Sequence, residues 1–125
     1  MIRDIGTYLV AQGLANGIST DVFLDTRPDN PDDVISIFEY PGPPTTIQDD
    51  ISRRVQIMVR NKSYASARAK AWAIFNLLDR PDDRIITVNG RRGWFKALQQ
   101  PNKLDIDANN RVIFVFNLEV LTSRD

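Results

Sequence analysis

A strand followed without a break by an amphipathic helix, over residues 51–79, most constrains how this chain can fold. Apolar and polar residues alternate through residues 51–60 with a period of two, which predicts a half-buried strand. Ser63 is then a predicted helix N-cap, and apolar residues recur every three or four positions as far as Leu78. Because the apolar face of such a helix must be covered, this segment predicts a helix lying across a sheet.

The rest of the chain supplies a second predicted helix and five further predicted strands. The helix is predicted over residues 2–14, and the strands over residues 18–24, 34–40, 84–88, 93–98 and 111–121. Asn89-Gly90 is typical of a tight hairpin turn, and residues 99–110 are predicted to form a polar connection. Strand 111–121 is the most hydrophobic and is expected to be central. The predicted architecture is a single α+β domain over residues 1–125, with a mostly antiparallel or mixed sheet packed by two main helices.

Composition narrows the functional classes. The 125 residues are 42% hydrophobic and 26% charged, without an apolar run of the roughly 20 residues that a membrane span needs. No basic and apolar leader is visible and cysteine is absent, so the cytoplasm is the default expectation. Without His or Cys, the chain lacks an imidazole base, a thiol nucleophile and the usual zinc ligands. Its paired aspartates adjoin prolines or strand starts, where Asp is a turn residue. We therefore expect no enzyme activity, no cofactor and no metal site.

Charge is divided unevenly along the chain. Residues 1–50 carry two basic and nine acidic side chains, a net charge of −7, and residues 51–125 carry +7. One interpretation is a dipolar subunit whose acidic and basic surfaces meet head to tail in a ring or stack. The alternative is that strands from both halves pair in one sheet and mix the charges.

The second predicted hairpin combines cationic and aromatic residues, as nucleic-acid-binding surfaces do: Arg91, Arg92, Trp94, Phe95 and Lys96. The alternative is an ordinary hairpin with Trp94 or Phe95 in the core. A net charge of zero over the whole chain argues against a surface that follows phosphates. We expect no sequence-specific nucleic-acid binding.

Three short segments carry a family resemblance. They are the proline-aspartate loop 27–33, the strand end Glu39-Tyr40-Pro41-Gly42, and strand 55–60 leading into an Ala-rich helix. In this order, after a short N-terminal helix, they resemble the bacteriophage minor capsid proteins of the tail-terminator or tail-completion type. The resemblance implies a small α+β subunit that assembles into a ring, typically six-fold, on the last ring of the tail tube of a long-tailed phage. Such a ring stops tube growth and presents a surface to the head connector.

The implied partners are further copies of the chain, the tail-tube protein and the head–tail connector or adaptor proteins. The implied location is the tail or neck of the virion, and the host cytoplasm during assembly. A head-closure or adaptor protein of the neck remains an alternative. A small nucleic-acid-binding module or an unrelated enzyme is a second one.

Contact surfaces are predicted at loops and charged positions. Loop 41–50 is ten residues long, although two to five residues are enough to join two strands. Long loops in compact domains are often functional. The hairpin tip 89–92 is a second candidate. The predicted oligomer or partner contacts are Pro43, Pro44, Ile47, Asp49 and Asp50 in the long loop, Arg91 and Arg92 at the tip, Arg54 and Arg60 on the strand, and Asp29, Asp32 and Asp33 in the acidic loop.

Overall fold

The structure is a computed structural model that describes residues 1–41, 50–79 and 85–123. Within these ranges, two helices accompany seven strands. The elements are α1 (Ile2–Ala11), β1 (Val22–Leu24), β2 (Val34–Pro41), β3 (Asp50–Asn61), α2 (Tyr64–Leu78), β4 (Ile85–Val88), β5 (Arg91–Ala97), β6 (Asn102–Ile106) and β7 (Val112–Ser123).

The strands form one mixed sheet in the order β1-β2-β3-β7-β5-β4, and β6 also pairs with β7. Among the described strands, β1 and β2 are parallel and all other pairs are antiparallel. Strands β3 and β7 pair from Asp50↔Ser123 to Asn61↔Val112. On its other side, β7 pairs with β5 along its C-terminal half and with β6 along its N-terminal half. The predicted α+β class and the central position of β7 are confirmed.

Both helices pack on the same face of the sheet. The apolar residues of β3 and β7 that alternate toward this face form one buried core with Ile5 and Leu9 of α1 and with the apolar stripe of α2. Ser63 caps α2 as predicted, because its hydroxyl oxygen accepts a hydrogen bond from the Ser66 backbone N–H at 3.2 Å. Local periodicity therefore predicts this layer of the fold correctly.

The predicted hairpin is confirmed in β4 and β5. Asn89 and Gly90 have φ angles of 50° and 82°, the left-handed conformations that a two-residue turn of this type needs. Phe95 is fully buried in the core, whereas Trp94 is partly buried with the Lys96 ammonium 5.7 Å from its ring centroid. The hairpin is thus a structural part of the sheet.

Four sequence predictions need correction. Helix α1 ends at Ala11, before the left-handed Gly13, and the predicted strand 18–24 shrinks to β1, with Ile18 making an isolated bridge to Val22. The prediction that residues 99–110 only connect strands is wrong, because they contain β6. Ends of the predicted loop 41–50 belong to strands: Pro41 closes β2 and Asp50 opens β3. The predicted contacts Pro43, Pro44, Ile47 and Asp49 lie outside the described residues.

The segment between β1 and β2 lies against the far side of the sheet, away from the helices. Its Arg27 donates from Nη1 to the Met58 sulfur at 3.4 Å, and Met58 alternates with the core residues Ile57 and Val59. This segment, residues 25–33, covers one end of the far face and forms one wall of the site described next. The polar face predicted for β3 is therefore not solvent-exposed at that end.

Candidate functional site: an arginine cluster beside an exposed strand

Two buried arginines hold the acidic loop against the sheet. Arg60, near the end of β3, and Arg111, just before β7, are each only 3% exposed. Arg60 donates from Nη2 to the carbonyl oxygens of Pro28 and Pro31, both at 2.7 Å, and from Nε to the carbonyl oxygen of Asp32 at 3.2 Å. A guanidinium suits this task because its planar fork of donors can satisfy several carbonyls at once.

Arg111 makes the charged contacts of the cluster. Its Nε donates to Asp107 Oδ2 at 2.8 Å, its Nη2 donates to Asp29 Oδ1 at 3.0 Å, and its Nη1 donates to the Asp29 carbonyl oxygen. Asp32 Oδ1 lies 3.5 Å from Arg111 Nη1. Arg111 thereby ties the acidic loop to the turn between β6 and β7, where Asp107 lies.

The electrostatics of the two arginines differ. Burial and the neighbouring charge of Arg111 lower the pKa of Arg60. Burial also acts to lower the pKa of Arg111, but its hydrogen bonds with Asp29 and Asp107 outweigh burial and raise it. In the same way, burial acts to raise the pKa of Asp107, and hydrogen bonds from the backbone and side chain of Arg111 lower it overall. Arg111 is compensated by carboxylates, whereas no carboxylate among the described residues lies within ion-pair distance of Arg60.

A polar pocket of about 230 Å³ opens at this cluster. Its lining comes from the acidic loop, from the two buried arginines and from the β6–β7 turn: Arg27, Asp29, Arg60, Asp107, Ala108, Asn109 and Arg111. Asp107 shapes the turn by accepting hydrogen bonds from the backbone N–H groups of Asn109 and Arg111, both at 3.0 Å. In the described parts of the chain, no group of three or more carboxylates is arranged to hold a metal ion.

Strand β6 ends at the same turn and is exposed along its whole length. Leu104 and Ile106 are 55% and 47% exposed, and Leu98, in the connection between β5 and β6, is 46% exposed. The pairing of β6 with β7 shifts between Lys103 and Asp105, which marks a bulge at Leu104. We refer to Leu104 and Ile106 as the β6 apolar patch. An exposed strand with large apolar side chains is typical of a contact surface.

Arg91 and Arg92, the two arginines predicted as contacts at the hairpin tip, have different environments in the structure. Arg91 Nε donates to Asp4 Oδ2 at 2.8 Å, and Asn89 Nδ2 donates to Asp4 Oδ1 at 3.2 Å. These bonds fasten the hairpin to the first turn of α1, so the Arg91 contact is at least partly internal. Arg92 is exposed. Both remain predictions as partner contacts, and Arg92 has the more accessible side chain.

The other predicted contact residues are spread over the far face and the acidic loop. Arg54 is partly buried, and its Nε has no hydrogen-bond partner within the described residues. Asp33 is exposed, and Asp32 lies 3.5 Å from the Lys62 ammonium. The backbone of Asp50 pairs with Ser123. Of the twelve predicted contact residues, the structure brings together Asp29, Asp32 and Arg60; sequence reasoning missed Arg111, Asp107 and the β6 apolar patch.

The chain is a small α+β subunit whose buried arginines hold its own acidic loop and whose strand β6 exposes two large apolar side chains, as a contact surface does. The family model for the bacteriophage tail terminator protein matches residues 8–124, and the chain therefore belongs to the bacteriophage tail terminator family. This confirms the resemblance found in the sequence. The family is structural and its place is the phage tail. A search of curated proteins finds no significant match, and no helix in the described parts of the chain is long and apolar enough to span a membrane.

Proposed function

We propose that this protein forms a ring, six-fold as the resemblance implies, on the head-proximal end of the tail tube. The ring ends tube polymerisation and presents the surface to which the head connector or an adaptor protein joins. The membership of the tail terminator family carries this proposal. The finished subunit belongs to the virion tail, and we expect free subunits in the host cytoplasm during assembly.

A closed ring requires two different surfaces on each subunit, because every copy contacts one neighbour on each side. The β6 apolar patch is the best-supported first surface. Covering it removes apolar area from water, which contributes about 25 cal/mol per Å². A strand from a neighbour could also pair with the outer edge of β6. The second surface and the contacts with the tube are assigned to Arg92 and to the predicted loop 41–50.

The direct test is negative-stain microscopy of the purified protein with and without isolated tail tubes. We expect ring density at one end of each tube. Leu104→Glu should abolish the rings because it places a charge in the apolar contact. Ala69→Glu, on an exposed position of α2, is the matched control and should leave them intact. Rings of normal frequency with Leu104→Glu would remove β6 from the interface, and bare tube ends with the unchanged protein would refute the proposed function.

Shortening residues 43–48 to a Gly-Ser turn tests the long loop in the phage itself. We expect a folded subunit that no longer caps, so that tails exceed their normal length or fail to join heads. Arg92→Ala should weaken the same step less severely. Tails of normal length and full phage titre from the shortened loop would show that this segment is only a connection between strands.

A further inference from the structure

Arg60 carries a charge that the fold does not neutralise. Arg60 as a residue is 3% exposed, and its hydrogen bonds go to backbone carbonyls through Nε and Nη2. Nη1 makes no hydrogen bond within the described residues. A buried cation is normally paired with a carboxylate, because removing it from water is costly. Burial and the charges of Arg111 and Arg27 lower the pKa of Arg60, and the more distant effect of the Asp107 and Asp29 carboxylates, which raises it, does not offset them.

A second arginine in the pocket is also uncommitted. Arg27 is exposed, and its single polar contact within the described parts of the chain is the weak one to the Met58 sulfur. Arg27 and Arg60 both line the 230 Å³ pocket beside the β6–β7 turn. Both side chains thus border the pocket, and each has guanidinium donors without a hydrogen-bond partner within the described residues.

The charges around the pocket do not balance. Four cationic side chains, those of Arg27, Arg60, Lys62 and Arg111, are grouped with the carboxylates of Asp29, Asp32 and Asp107, which leaves a net charge of +1. One monoanion would bring the cluster to neutrality. A phosphate dianion would exceed it, and would also meet the two carboxylates that line the pocket.

We propose that this pocket is an anion site that accepts one carboxylate side chain, presented by a neighbouring copy of the subunit. The carboxylate would receive hydrogen bonds from Arg60 Nη1 and from the Arg27 guanidinium. Arginine–carboxylate bonds of this type are charge-assisted and stronger than neutral ones. The source of the carboxylate rests on the proposed ring, because the pocket shares the β6–β7 turn with the β6 apolar patch. A neighbour seated on that patch would lie next to the pocket.

The site itself can be tested on the free protein with acetate as the probe. We would follow the arginine Nε–Hε resonances by NMR while acetate replaces chloride at constant ionic strength. A saturable shift of the Arg27 and Arg60 signals is expected. Arg27→Gln should weaken acetate binding about tenfold, as expected for the loss of one charge-assisted hydrogen bond. Arg3→Gln removes another exposed arginine and is the matched control, with unchanged binding.

Two results would overturn the site. One is a shift of Arg27 and Arg60 that grows linearly with acetate, as non-specific screening would give. The other is tighter binding of dimethyl phosphate than of acetate, which would assign the pocket to a nucleic-acid backbone.

The source of the carboxylate is tested by tube capping. Arg27→Gln should reduce the fraction of capped tubes, whereas Arg3→Gln should not, and normal capping by Arg27→Gln would refute the neighbouring subunit as the source. Leu104→Glu distinguishes this inference from the ring proposal. It should abolish capping through β6 and still bind acetate as the unchanged protein does.

Discussion

Replacing Phe116 by Ala tests whether the core is held together where the structure places it. Phe116 is fully buried in β7, opposite Ile57 of β3, and its ring meets the Phe75 ring of α2 edge to face at 5.7 Å between centroids. Truncating a buried Phe usually costs about 3–5 kcal/mol, of which an aromatic pair supplies about 0.5–1.5 kcal/mol. Because two paired strands and a helix enclose this ring, the cavity cannot easily collapse. We therefore expect Phe116→Ala to lower the free energy of unfolding by about 4–5 kcal/mol.

Urea unfolding followed by circular dichroism measures this loss. With a slope of about 2 kcal/mol per M, the midpoint should fall by about 2 M while the slope stays constant. Phe38→Ala is the matched control, because Phe38 is only partly buried and lies outside the core cluster. Phe75 is also only partly buried, so Phe75→Ala should cost less than Phe116→Ala. A loss below about 1 kcal/mol for Phe116→Ala would refute the assigned core.

Two further changes test the hairpin and the arginine cluster. Gly90→Ala forces a side chain into a left-handed conformation at φ 82° and should lower the free energy of unfolding by about 1 kcal/mol; an unchanged melting temperature would contradict this. Because the folded-state pKa of Asp107 lies below its ordinary value of 3.8, the ionised carboxylate stabilises the fold above that pH, and this stability is lost as the pH falls through the folded-state pKa. Asp107→Asn should therefore be less stable near neutral pH and lose less stability on acidification, which urea midpoints measured down to about pH 2 would check. Parallel pH profiles for the two proteins would contradict that reasoning.

Elements with a local periodic signal could be predicted from the sequence. Alternation in residues 51–60 and the stripe of α2 each arise because one face of a single element is buried, and that information lies within a dozen neighbouring residues. Strand β6 has no such signal, since it is exposed on both faces. It forms because the N-terminal half of β7 offers a free edge, which is a non-local property of the assembled sheet.

The arginine cluster is also formed by non-local contacts, and the sequence predicts only part of it. Alternation correctly predicted that Arg60 points away from the helix side, since its neighbour Val59 lies in the core. Its burial depends instead on the acidic loop folding back from about thirty residues earlier in the chain. The sequence predicts Arg111 only as the first residue of a strand. The one local indication of its role is that it follows the turn that contains Asp107. Contacts between residues so far apart in the chain produce no periodic pattern in the sequence, so they could not be predicted from it.

The division of charge along the chain now has a structural explanation that bears on assembly. Strand β2 of the acidic half pairs with β3 of the basic half, and four ion pairs join the two halves inside the subunit. They are Glu39 with Arg53 at 3.1 Å, Asp32 with Lys62 at 3.5 Å, Asp4 with Arg91 at 2.8 Å, and Asp29 with Arg111 at 3.0 Å. Much of the complementarity that predicted head-to-tail contacts is therefore used within one copy.

Contacts between copies should depend more on the β6 apolar patch, and salt should weaken them less than opposed charges of −7 and +7 would suggest. The net charge of +1 left at the arginine cluster is the electrostatic contribution we expect to remain between subunits. Salt sensitivity of capping should accordingly fall in Arg27→Gln and persist in Arg3→Gln.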